Sequence, residues 1–278
     1  MQKLLAAVCA IALGIATALI ASTTASPAIS AAPAPSDPGP AAPRDAVDLR
    51  PDFDRWGLPA RAQRGRGTCS VFAITGSIEF ALAERQGRAT RLSVEFLNWA
   101  SNRVIGKDRD GGFFSDLWKG FEAHGICEEA DLPYASTFDP ELQPSKAALA
   151  HARRIREVGL KLHWIKPWDP NQGLTDAQLA AVKQTLRRGR PVCGGFLWPK
   201  QERWNDGVLE MAPREGVRDG HSVLLVGFRD DPALPGGGVF LVRNSGKGLC
   251  DGAMTYEYVR SYMNDAVWID GGEGSPSS

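Results

Sequence analysis

The stretch QRGRGTCSVFAITGSIEF, residues 63–80, sets a cysteine between a loop rich in arginine and glycine and a long apolar run. Thr68 reads as an N-cap, and the pattern predicts a helix from Cys69 to Gln86, stopped by Gly87. Phe72, Ala73, Gly76, Phe80 and Ala83 share one stripe, with Ile74, Ile78 and Leu82 beside it. A surface that wide means a helix buried on most sides. Cys69 is then its first residue, where unpaired N–H groups and the positive end of the helix dipole favour a thiolate. Arg64 and Arg66, close in sequence, are candidates to add to that field. The residue can be a packing cysteine, half of a disulfide, or a nucleophile.

A nucleophile needs a base and a group to hold the oxyanion. Gln63 stands six residues before Cys69 on the entering loop, and its amide can turn back toward the thiol. The chain has 4 histidines. His124 precedes a helix-ending glycine, His151 sits among arginines, and His163 lies between Leu162 and Trp164 on a predicted strand. His221 follows Asp219-Gly220 and opens an apolar strand, which would hold it at a loop edge. Asn244, at the end of the next strand, is placed to orient its ring if the two strands pair antiparallel.

The 278-residue chain carries no net charge, so nothing electrostatic points to nucleic acid, and RRIR (153–156) and RRGR (187–190) read as solvated helix ends. The lone Lys3, the apolar run from Leu4 to Ile20 and the small residues beyond have the layout of a secretory signal peptide, expected at 1–25. An uncleaved membrane anchor is the alternative. The Ala/Pro-rich stretch 26–46 reads as a disordered linker, 47–271 as the folded domain and 272–278 as a tail. Secreted or periplasmic location, and no membrane contact after cleavage, follow from that reading. Of the 5 cysteines, Cys9 lies in the leader, which leaves Cys69, Cys127, Cys193 and Cys250 with several possible pairings. No histidines or cysteines stand in close pairs at metal-ligand spacing, so no metal or other cofactor is expected.

Helices are predicted behind Ser93, Ser115, Ser145 and Thr175, the last with Gln178 in capping-box position. Strands are predicted at 160–166, 191–198, 221–228, 239–245 and 266–270, and DDPALPGGG as a long hairpin loop. The segment after residue 47, around Trp56, Leu58 and Pro59, reads as extended. GKGLCDG (246–252) reads as a turn and WNDGVLEMAPREGVRDG (204–220) as a surface loop that can border a cleft. Helices first and strands later argue for an α+β fold of two lobes, a helical one and an antiparallel β one, with a cleft between them.

In order along the chain, AQRGRGTCSVFA, LSVEFLNWA, DGGFFSDLWKGFEAHGI, EADLPY, GHSVLLVGF and FLVRNSG resemble segments of the papain-like cysteine peptidases. The resemblance implies a papain-like fold and an exported cysteine-type endopeptidase, acting on peptides or proteins as a monomer. Cys69 would be the nucleophile, His221 its acid and base, Asn244 the group orienting His221, and Gln63 an oxyanion donor. Gly111 and Gly112 would pair with substrate backbone, while Phe114 and Ser222 would line an apolar specificity pocket.

The family pattern is not met everywhere. Its first active-site cysteine is Arg66 and the expected partner is Trp99, so one disulfide is missing as a unit. The aromatic after the nucleophile is Ser70. The tryptophan after Asn-Ser, which shields the histidine–asparagine bond, is Gly246, and Trp268 is a candidate to stand in for it. No folded inhibitory propeptide fits before residue 47, so latency by propeptide removal is not expected. These departures keep two other readings open: a weakly active or inactive peptide-binding module, and an amidase or transpeptidase using the same thiol.

Overall fold

The computed structural model describes residues 45–246 and 251–271. The expected leader, nearly all of the linker, the tail, and residues 247–250 of GKGLCDG with Cys250 lie outside the described residues. In chain order the elements are β1 (Ala46–Asp48), α1 (Arg50–Arg55), α2 (Cys69–Gln86), α3 (Val94–Ile105), α4 (Phe114–His124), α5 (Lys146–Arg156), β2 (Lys161–Lys166), α6 (Asp176–Arg187), β3 (Val192–Pro199), β4 (Trp204–Asn205), β5 (Val208–Leu209), β6 (Val217–Asp230), β7 (Gly238–Arg243), β8 (Asp251–Thr255), α7 (Tyr256–Tyr262) and β9 (Met263–Asp270). This is an α+β fold. The described strands form one sheet in the order β2-β9-β3-β6-β7-β8-β5-β4, with β1 also paired to β6. All pairings are antiparallel except β5 with β8.

The helix predicted from the opening stretch has the bounds the sequence implied, and Gly87 ends it in the left-handed region at φ 66°. It is buried nearly all round from Cys69 to Ala83 because it packs on β6 on one side and on α3 and α4 on the other. Ile74 and Ile78 of α2, Leu224 and Leu225 of β6 and Val267 of β9 belong to one continuous core. Ser93 and Ser145 cap α3 and α5, and Thr175 with Gln178 forms the capping box of α6. Gly120 of α4 is required by the crossing with α3: a Cβ there would stand 2.5 Å from the Ser101 backbone nitrogen.

Several expectations are corrected. The sheet begins at Ala46, paired with Arg229, so the last residue assigned to the linker is already structured. Residues 50–55 are helical, because Pro51 presets the first turn and the turn buries Phe53 against the Phe80 ring, centroids 4.6 Å apart. Ser115 lies inside α4 rather than capping it. The cap is Phe113, which lets Phe114 bury almost completely. The strand carrying His221 starts four residues earlier, at Val217, and β8 and α7 were not foreseen.

Cys127 and Cys193 are buried free thiols, so neither bridges anything. In place of the missing disulfide the fold has charge. Arg66, its side chain 4% exposed, pairs with Glu95 of α3 at 2.5 Å and with Asp110 at 2.7 Å, and donates to the Ala135 carbonyl at 3.0 Å. Glu95 lies one helical turn from Trp99, so the ion pair ties the same loop to the same helix that the disulfide would have joined. Removing one member of a buried pair strands the others and typically costs about 3–5 kcal/mol. Arg66→Met is therefore expected to lower the stability by about that much in urea denaturation, whereas added reductant leaves the wild-type midpoint unchanged.

Candidate active site

The site starts at the head of α2. Thr68 occupies the N-cap position, but its side chain caps nothing. Its hydroxyl instead lies 2.7 Å from the Tyr134 hydroxyl, whose proton goes to the Gln63 carbonyl. Of the first-turn N–H groups, that of Ser70 is directed at the Cys69 sulfur. Burial of that thiol opposes ionisation. The hydrogen bond and charge of His221, with the N–H groups of Ser222 and Ser70, outweigh it and hold the thiol below its ordinary range. Arg66, an arginine expected to help, faces Glu95 and Asp110 instead.

His221 sits within β6, opposite Phe196 of β3, and beside a bulge. The register slips between Phe196 and Leu197, where Gly220 is the extra residue at φ 104°. A bulge of this kind re-aims its neighbour, and here it turns the imidazole toward the helix N-terminus. The Gly220 carbonyl lies 3.8 Å from the Cys69 sulfur. His221 Nε2 is 2.9 Å from Asn244 Oδ1, and the Gly246 N–H donates to the same atom at 3.0 Å. A backbone N–H can only donate, so that atom is the amide oxygen and Nε2 carries a hydrogen. Nδ1 is the nitrogen left for the thiol. Burial alone would lower the basicity of His221, but Cys69, Asn244 and Glu202 together raise it.

The Gln63 amide is fixed at both ends. Its Nε2 donates to the Arg66 carbonyl at 2.7 Å, and its Oε1 accepts from the Ser245 hydroxyl at 2.8 Å. One Nε2 hydrogen remains uncommitted by these bonds. Ser245, next to Asn244, was not singled out in the sequence, although its place in VRNSG was the available signal.

Cys69 and His221 open onto a cleft of about 250 Å³. Gly111, Gly112, Phe114 and Ser222 line it, and so do Phe113, Trp168, Gly195 and Asp265, which were not named. Phe113 and Trp168 meet edge-on at 5.2 Å and are both 44% exposed, forming a rim. Gly111 has φ 69°, and a Cβ there would meet the Gly67 carbonyl at 2.4 Å, so the wall passes too close to the α2 loop for any other residue. At Gly195 a Cβ would meet the Asp265 carboxylate at 2.0 Å, which puts a polar group in a cleft foreseen as apolar. Ser70 has a specific partner: its hydroxyl accepts from the Gly112 N–H at 3.2 Å. An aromatic ring at 70 could not make that bond.

Trp268 does not shield His221, because it stacks on His163 at 4.3 Å. The ring over His221 is that of Trp198, with centroids 4.3 Å apart. His151 pairs with Asp131, and His124 packs on Trp99, so neither joins the site.

The chain matches the family model described as papain family cysteine protease over residues 45–258. Its fold is similar to xylellain, a cysteine protease from Xylella fastidiosa, with a TM-score of 0.62 and 23% identity, covering 81% of this chain and 85% of that one. It is also similar to digestive procathepsin L 3 of the Tenebrio molitor larval midgut, with a TM-score of 0.55 and 18% identity, covering 81% and 69%. Gamete and mating-type specific protein A of Dictyostelium discoideum is 24% identical over 181 residues, 65% of this chain, and the chain spans 36% of that protein's length. The solved structures establish the fold, and the family match runs through the helix of Cys69, the strand of His221 and Asn244 after β7. The chain belongs to the papain family of cysteine proteases.

Proposed function

We propose that the protein hydrolyses internal peptide bonds by acyl transfer through Cys69, His221 and Asn244. The observation that carries this is the single imidazole that engages the thiol while its Nε2 is held by Asn244. A thiol ordinarily near 9.0 and an imidazole near 6.5 would sit together as neutral groups. Shifts in opposite directions, the thiol down and the imidazole up, are what a thiolate–imidazolium pair needs.

In the reaction the Cys69 sulfur forms a bond to the peptide carbonyl carbon, and the carbonyl electron pair moves onto oxygen. The free Nε2 hydrogen of Gln63 and the Cys69 backbone N–H are the donors for that oxyanion. Collapse breaks the C–N bond as the His221 imidazolium gives its proton to the departing amine. A water, deprotonated by His221, then cleaves the thioester, releasing the acid and restoring the thiol. Ser70 and Gly246, the departures that raised the binding-module reading, leave each of these groups in place.

Cys69→Ala and His221→Ala are expected to abolish cleavage of a fluorogenic peptide and of denatured protein, and Gln63→Ala to cost about 10²–10³ in kcat. Intact turnover in Cys69→Ala would overturn the proposal, and amine-capped rather than hydrolysed products would redirect it to a transpeptidase. Activity should rise with pH as the thiol ionises below its usual range and fall as His221 loses its proton above its usual range, giving a broad bell.

The Ser70–Gly112 bond bears on substrate affinity, because an extended substrate must compete for that N–H. Ser70→Ala is expected to lower KM several-fold, about one ordinary hydrogen bond, with little change in kcat. An unchanged KM would mean that Gly112 does not pair with substrate.

The protein is further proposed to act after export. The support is the apolar leader at 1–25, and the N-terminal sequence of material recovered outside the cytoplasm tests it: a start near residue 26 is expected, and an intact Met1 would overturn cleavage.

A further inference from the structure

His221 is covered on one face by a unit that the family pattern does not contain. Trp198, 5% exposed, lies with its ring 4.3 Å from the imidazole at 53°. Its indole N–H donates to Glu202 Oε2 at 3.0 Å. The other carboxylate oxygen, Oε1, accepts from the indole N–H of Trp204 at 2.7 Å. One carboxylate therefore fixes two indoles. Trp204 belongs to β4, in the segment read from sequence as a surface loop.

The pattern's own place for such a ring is crowded. A Cβ on Gly246 would stand 3.1 Å from the Asn244 amide nitrogen, so the carboxamide that holds His221 would have to give by a few tenths of an ångström. Trp198 reaches His221 from the opposite strand instead. Trp198 and Phe196 lie two apart on β3 and so share a face. Phe196 lines the cleft with His221, whereas Trp198 stays outside the cleft lining. The groups that face the imidazole are thus Cys69 from α2, Asn244 just after the end of β7, Trp198 from β3 and Glu202 from the link between β3 and β4.

We propose that Trp198, clamped by Glu202 to Trp204, is the positioning residue that holds His221 against Asn244 and keeps water from that hydrogen bond. Three effects act in one direction. The indole face attracts a cation within about 6 Å, so it favours imidazolium over imidazole. Excluding water strengthens the Nε2–Asn244 bond. The Glu202 charge adds a screened attraction, and by locking the Trp198 ring it prevents the imidazole from swinging off the thiol. The proposal rests on the thiolate–imidazolium reading above.

The test is the pH dependence of kcat/KM on a fluorogenic peptide, with the rate of thiol alkylation by iodoacetamide measured over the same range. Wild type is expected to give two limbs in both assays. In Trp198→Ala the alkaline limb should move down by about half a unit to one unit, and the plateau of kcat/KM should fall about tenfold. Trp198→Phe, which keeps a ring, should retain most of the limb position, and Glu202→Gln should shift it in the same direction by a smaller step. If Trp198→Ala does not fold, Glu202→Gln and Trp204→Phe carry the test. Limbs that superimpose on wild type in the folded variants would overturn the clamp while leaving the catalytic reading intact. A wild-type thiol that shows only one ordinary ionisation would overturn both.

Discussion

A guanidinium as buried as that of Arg66 keeps its charge and is costly to leave unpaired, and two segments bring carboxylates to it. Glu95 brings α3, and Asp110 brings the loop that continues into Gly111 and Gly112. The same cation lies over the Tyr134 ring at 4.8 Å, and Tyr134 in turn donates to the Gln63 carbonyl and meets Thr68. Gln63, the start of the Cys69 helix and the glycine wall at Gly111 and Gly112 are therefore positioned by one buried charge. A second node behind it works the same way: Glu79 of α2 joins Arg61, Arg91 and the Leu92 N–H. Both nodes are held by geometry as much as by attraction, because desolvated charges tolerate few arrangements.

Against that rigid frame the sulfurs show how far surroundings decide reactivity. Burial pushes the Cys127 thiol up to about 12 and drives Cys193 higher still, since neither has a cation to offset it. Cys69 is as buried as many core residues, yet it is held low because an imidazole and two backbone N–H groups converge on it. The difference lies in the partners and not in depth.

Much of this was legible in the sequence where the residues obey a local rule. The α2 bounds followed from Thr68, the apolar run and Gly87. His221 and Asn244 were legible as candidates from their places at two apolar segments, while Gly111-Gly112 was legible only through the family resemblance. What was not legible depends on contacts between distant segments. Nothing near Arg66 in the chain says that it will face Glu95 and Asp110 rather than the thiol. The replacement of Trp268 by Trp198 is of the same kind: both are strand tryptophans, and only the register of β3 on β6 decides which one reaches His221. Phe53 shows the limit of local reading in the other direction, where a proline-led turn became helical because its one apolar residue had a core ring to meet.

The ionic fastening of the Arg66 loop has a consequence for how the polypeptide matures. A disulfide at that place must be formed by an oxidant while the Cys69 sulfur, three residues away, is equally open to attack and mispairing. Charges that meet and lose water need no oxidant and discriminate by sign alone. Among the described cysteines no bridge has to be made, so the fastening of the Arg66 loop to α3 forms without an oxidant, and at that place Cys69 meets no neighbouring thiol with which to mispair.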